Sequence, residues 1–218
     1  MATDIEKRYT AKAEDSFKTK RNLFLFDHII YKKGTTNIKA EDFADFEIDD
    51  KIIKIYATQY YQRDRKSKLS GFDLTPDEIY MELSGWIKEK QQNEILKKFY
   101  IEKYFPTHVF PLNKFIELFN NPAEQKCFYC GITDEIVKSL INCNEIFKKR
   151  ERGHKLEIDR KEANKEYTPE NSVLCCYWCN NAKTDEFSFQ EFISVGMYFR
   201  LLWNIRLHKH NLPLIVES

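Results

Sequence analysis

The chain has little glycine and little proline, six of each in 218 residues. Both residues punctuate turns and linkers, so their scarcity argues that most of the chain is regular structure. No apolar run reaches the ~18 residues of a membrane span, and no membrane partner is expected. No charged stretch followed by an apolar one opens the chain, so the protein reads as cytoplasmic. An excess of one charge is also missing: 35 Lys and Arg stand against 34 Asp and Glu, a net +1. Nucleic-acid binders often carry a larger excess. Bulk charge says little about local fields, however, and a near-neutral protein can still line one groove with cations. There are no internal repeats and no low-complexity tracts.

What the sequence does have is aromatic: 17 Phe and 12 Tyr in a chain that is 42% hydrophobic. That composition argues against disorder and can supply the core of one or two domains. All six cysteines fall between 127 and 179. Clustered pairs in a chain without a secretory signal suggest metal, not disulfides. Cys127-Phe-Tyr-Cys130-Gly131 is a knuckle, two thiolates on a tight turn that Gly permits. Cys176-Tyr-Trp-Cys179 is a second pair. Four thiolates match a closed, tetrahedral, structural zinc site. Redox chemistry would need only one pair. Cys143 and Cys175 are left over; Cys175 could stand in for Cys176, but only Cys176 keeps the two-residue spacing.

The second pair closes a local pattern. Leu156 and Ile158 alternate with polar residues, as in a half-buried strand. Residues 161–171 are polar, contain Pro169, and read as a loop. Residues 172–175 return as an apolar strand, and a short helix starts at Tyr177 with Lys183 in its last turn. A carboxylate, Asp159, thus ends the first strand.

This stretch, roughly residues 124–186, resembles the HNH or ββα-metal nuclease motif in its zinc-stapled form. The resemblance implies a single catalytic divalent ion held by Asp159 and by Asn180, where the family usually has His. Oxygen donors suit magnesium or manganese. Asn171 matches the middle Asn that ties the hairpin together. Glu157 shares the side of Asp159 and is a second, weaker ligand candidate. The position after the strand Asp normally holds the histidine base, but here it is Arg160. Arginine cannot accept that proton, although it can grip a phosphate bidentately. Another base is then required: His154, Tyr167 or Tyr177. His154 lies six residues before Arg160, an even offset that on a strand would put both on one face. The resemblance implies double-stranded DNA as substrate, in restriction or phage defence, and a homodimer for a duplex cut. The alternative is a catalytically inactive zinc-stapled DNA-binding module.

The remainder resembles no known family. Residues 1–22 are charged and read as a solvated, partly helical start. Residues 23–31 are apolar around Asp27-His28, a dipeptide that mimics a nuclease motif but lacks its knuckle and hairpin, so His28 reads as structural. Residues 43–61 are rich in β-branched and aromatic side chains, which predicts one or two strands. The loop after Tyr60-Tyr61 carries Arg63, Arg65, Lys66 and Lys68; it contacts phosphate or is simply a solvated loop. With Lys183 these make the candidate nucleic-acid contacts. Thr75-Pro76-Asp77-Glu78 is a capping box with Pro at the first helical position. A second helix is expected from about 93 to 104, ended by Phe105-Pro106, and a third over 112–119. Ser188-Phe-Gln-Glu191 opens a long helix to about His208, with Phe192, Ile193, Met197, Leu201, Leu202 and Ile205 on its apolar face. The expected fold is α+β. A mostly helical N-terminal region, residues 1–110, serves DNA or partner recognition. A zinc-bound HNH domain with a long C-terminal helix spans 111–218.

Overall fold

The computed structural model describes residues 3–36, 38–61, 64–121, 125–147 and 153–216. The chain divides into two compact units: Met1–Pro111 with Asn164–Tyr167, and Leu112–Ala163 with Thr168–Ser218. It is mixed but mostly helical, with one two-stranded sheet among the described residues.

The first unit is built on α1, Asp4–Ile30. Thr3 caps it, accepting from Glu6 N while the Glu6 carboxylate accepts from Thr3 N at 2.7 Å. The expectation of a solvated start for residues 1–22 is corrected here. Ala13, Ser16, Phe17 and Lys20 are buried, and Phe17 meets the rings of Phe43 and Tyr100, each with centroids 5.8 Å away. The charged residues fill one side of α1 and hid its apolar stripe.

Residues 43–61 hold no strand. The chain forms α2 (Ala40–Asp45), α3 (Asp50–Ile55) and a π-helical turn, Tyr56–Tyr60. Asp49 accepts from Ile52 N at 2.6 Å, so a cap starts α3 in spite of its β-branched residues. Burial of Ile52 and Ile55 one helical turn apart decides the matter. α4, Pro76–Lys88, starts at the capping box of Thr75 and Glu78. α5, Lys90–Phe99, does not end at Pro106; it runs into a π-helical segment, Tyr100–Val109. The wider turn relieves the clash by which proline stops an α-helix.

The second unit contains α6 (Leu112–Asn120), α7 (Asp134–Asn142), β1 (Glu157–Arg160), β2 (Ser172–Cys175), α8 (Tyr177–Lys183) and α9 (Phe189–Lys209). β1 and β2 pair antiparallel with Asp159 opposite Val173 and Arg160 opposite Ser172. The expected apolar face of α9 is also corrected. Its core side is Phe192, Gly196, Trp203 and Leu207, while Ile193, Met197, Leu201, Leu202 and Ile205 are exposed. Gly196 lets this helix lie on the knuckle, because a Cβ there would come within 2.5 Å of Tyr129 O.

Candidate metal centre and active site

The two cysteine pairs converge. Cys127, Cys130, Cys176 and Cys179 are buried, with their sulfur atoms within 4.8 Å of one another. Cys130 and Cys176 sulfurs are 3.7 Å apart, close to the edge of about 3.8 Å that four Zn–S bonds of ~2.3 Å define in a tetrahedron. The knuckle turn is made by Gly131, whose φ is 77° and whose N–H donates to Cys127 O at 2.8 Å. Cys176 caps α8, with its sulfur accepting from Cys179 N at 3.5 Å. Burial raises the Cys127 thiol, but hydrogen bonds from Cys130, Cys175, Cys176 and Cys179 outweigh it and hold the group well below its ordinary value. Cys176 and Cys179 are pushed up, chiefly through their hydrogen bonds to Cys127. A soft divalent cation suits four convergent sulfurs. The residues fit structural zinc. Cys175 is buried beside Cys176, and its Sγ–H points to Cys176 O.

The staple holds α8 against β1, and that packing aligns four polar side chains. Glu157 and Asp159 lie two residues apart on one side of the strand. Asn180 and Lys183, three apart on α8, meet them. Asn180 Nδ2 donates to Glu157 Oε2 at 2.6 Å. Lys183 Nζ lies 3.5 Å from Asp159 Oδ2 and donates to Arg160 O at 2.8 Å. Lys183 is 1% exposed, so it is turned to the strand and not to a nucleic-acid surface. Tyr129, inside the knuckle, donates to Asp159 Oδ2 at 3.0 Å. Burial raises the Asp159 carboxyl above its ordinary range, opposed first by the charge of Lys183 and then by the Tyr129 hydrogen bond. Sequence reading missed this role of Tyr129. The signal available was its position between two cysteines whose geometry fixes its direction.

Asn171 ties the loop. Its Nδ2 donates to Glu162 O at 3.1 Å, its Oδ1 accepts from Glu162 N at 2.8 Å, and its O accepts from Lys161 N at 2.9 Å. His154 does not share the strand. It sits in an exposed bend before β1, so its offset from Arg160 fixes no common face. Tyr167 belongs to the first unit, where its N–H donates to Ser16 Oγ at 2.9 Å and Lys12 Nζ donates to its hydroxyl at 3.1 Å. In the basic loop, Arg63 lies outside the described residues. Arg65 pairs with Asp77 at 2.7 Å, and Lys68 pairs with Asp73. Lys66 is exposed. His28, within α1, directs Nδ1 at Phe24 O at 3.0 Å; burial lowers its pKa.

The geometry is that of an antiparallel hairpin and a short helix, stapled by four thiols, with acidic side chains presented between them. No protein-family model and no curated protein matches the chain. A solved structure that does match is that of the rare-cutting HNH restriction endonuclease PacI, described as exhibiting an extraordinary mechanism of DNA perturbation. It is 27% identical, covers 48% of this chain and 68% of that one, and superposes with a TM-score of 0.38. No helix of the described residues is long and apolar enough to cross a membrane.

Proposed function

We propose that the second unit is an HNH-type endonuclease that hydrolyses phosphodiester bonds in double-stranded DNA, in restriction or phage defence. One observation carries this reading: the zinc-suited cluster fixes α8 so that Asn180 and Lys183 face Glu157 and Asp159 on β1. Two carboxylates and an amide oxygen form an all-oxygen donor set, which fits magnesium or manganese. When bound, such an ion would polarise the phosphoryl group and stabilise the leaving oxygen. Asp159 and Asn180 would hold it, with Glu157 beside them. Tyr129 and Lys183 fix the Asp159 carboxylate in place. Arg160, next in the strand, would grip a phosphate oxygen and offset charge that develops on it. Asn171 keeps the turn after β1 closed and thereby aims Arg160.

A second reading has its own support. Each strand carboxylate already has a partner, Glu157 in Asn180 and Asp159 in Lys183. Self-satisfied carboxylates suit an inactive zinc-stapled DNA-binding module. Supercoiled-plasmid cleavage with magnesium, manganese or neither separates the two readings. The nuclease reading expects metal-dependent nicking or cutting that Asp159→Ala abolishes, with folding and zinc content unchanged. Equal cleavage by parent and Asp159→Ala would overturn the site; DNA binding without cleavage would favour the module.

A further inference from the structure

The knuckle turns one large apolar side chain outward. Phe128 is 41% exposed, although its neighbours Cys127, Tyr129 and Cys130 are buried. It does not sit on a loose loop, since Phe128 N donates to Leu174 O of β2 at 2.9 Å. Phe189 comes beside it from the first turn of α9, inside the capping box of Ser188 and Glu191, with the ring centroids 6.5 Å apart. Lys161 Nζ stands over both rings, 5.6 Å from the centroid of Phe128 and 6.0 Å from that of Phe189. Lys161 is held too, because its N–H extends the hairpin ladder by a bond to Asn171 O at 2.9 Å. Among the described residues no ion pair neutralises its ammonium.

Adjacent knuckle residues thus meet alternate strand residues. Tyr129 reaches Asp159, and Phe128 reaches Lys161 two positions on, ~6.6 Å along an extended strand. The two rings and the cation therefore lie beside the carboxylate that the nuclease reading assigns to the divalent ion. We propose that Phe128 and Phe189 form a stacking shelf for one nucleobase next to the scissile phosphate, with Lys161 on the phosphate of that nucleotide. The shelf deepens the nuclease reading, on which it rests. An exposed aromatic face beside a cation is how proteins hold unstacked nucleotides: the ring accepts any base, and the cation follows the backbone. An apolar protein partner fits the same rings less well, because it would desolvate the Lys161 ammonium without bringing a counter-charge. A base inside a duplex has both faces covered. The shelf therefore takes a nucleotide that has left its stack, at a cost that is smallest where the base is unpaired.

DNA binding without divalent metal tests the shelf apart from cleavage. The probe is a thymidine oligonucleotide of about 16 nucleotides, the upper site size of such surfaces, read by fluorescence anisotropy on the full zinc-loaded chain. Phe128→Ala should weaken binding ~10-fold, the loss of one stacked base, and leave the salt dependence unchanged. Phe128→Trp should keep the parental affinity. Lys161→Ala should instead lower the slope of log K against log salt by ~0.7, the share of one phosphate on a single strand. A duplex with one unpaired thymidine should bind more tightly than its fully paired counterpart, and Phe128→Ala should erase that difference. Under ultraviolet light an iodouracil-substituted oligonucleotide should cross-link to Phe128 or Phe189, located by mass spectrometry. That measurement needs no substitution in the protein, so it decides the case even where a knuckle variant fails to fold. A parent that binds no oligonucleotide, a Phe128→Ala variant that binds as the parent does, or cross-links confined to other residues would overturn the proposal. With no divalent metal present, failure of the shelf and failure of cleavage are read separately.

Discussion

Arg160 is where the site departs furthest from a conventional base-bearing strand. Its backbone carbonyl is held by Lys183, and its place at the end of β1 is fixed by pairing with Ser172. The peptide is therefore rigid, and the guanidinium is presented from a defined point. If it grips the scissile phosphate, Arg160→Ala should lower the single-turnover rate by ~10²-fold, the loss expected when one transition-state donor is removed. Arg160→Lys should recover little, because an ammonium lacks the planar fork. A lysine variant as fast as the parent would show that only a positive charge is needed there. His154 tests differently. Because it lies in an exposed bend outside the strand, His154→Ala should leave the rate within a factor of ~3. A loss of ~10²-fold would reinstate it as the general base. The cysteine cluster was legible in the sequence because the spacing within each pair is local, whereas Asp159, Asn171 and Asn180 were singled out only by the resemblance. The partners that complete the site were not. Tyr129 on Asp159, Lys183 on the strand and Asn180 on Glu157 depend on how α8 and the knuckle pack, which no spacing displays.

Helices with one apolar stripe and a cap could be read from the chain, as α4 was from Thr75 and Glu78. Elements whose burial is decided by tertiary packing could not. α3 has strand-like residues but a helical cap, and α9 has two apolar faces, of which the expected set shares only Phe192 with the buried one. α1 was misjudged because it buries a charge: Lys20 is 2% exposed. Its Nζ donates to Ala44 O at 3.1 Å and Tyr104 Oη at 3.2 Å, and its charge faces Glu166, to which Tyr100 donates. Burial raises the Glu166 carboxyl; the charge of Lys20 and the Tyr100 hydrogen bond oppose that. Removing one of two charges that face each other inside the unit should be felt. Glu166→Gln should destabilise the first unit at neutral pH, measured by urea unfolding, since Lys20 loses a facing charge and Tyr100 a carboxylate acceptor. The double variant Glu166→Gln with Lys20→Met should recover part of that loss; strict additivity would deny the coupling. The raised pKa also sets a sign for pH. The folded state holds the Glu166 proton more tightly than the unfolded chain does. That contribution is fully present below the ordinary glutamate range and is lost as pH rises through the raised value. Glu166→Gln should flatten that part of the stability curve.

At the scale of the whole molecule the chain is two cores with different sources of stability. The first unit has an aromatic interior, with Phe17, Phe24, Phe43, Tyr100 and Phe105 all buried. The second has a two-stranded sheet, three short helices, the long α9 and the cysteine cluster, and a two-stranded ribbon is marginal without a further constraint. The sequence showed where the cysteines concentrate. It did not show that residues 164–167, in a polar loop between β1 and β2, belong with the first unit through Tyr167 and Glu166. Structural zinc in such sites contributes on the order of 10 kcal/mol of apparent binding energy, more than most domains have to lose. Removing it with a chelator, or replacing a ligand through Cys176→Ser, should therefore unfold the second unit and spare the first. Hydrogen exchange read by mass spectrometry resolves the difference. Protection should collapse across β1, β2, α8 and α9, while α1 and α4 keep theirs. Readdition of zinc should restore protection to the chelated parent and not to Cys176→Ser. Retained protection in α8 and α9 after complete zinc removal would show that the cluster is not a structural staple. Simultaneous loss in α1 would show instead that the aromatic core cannot stand without it.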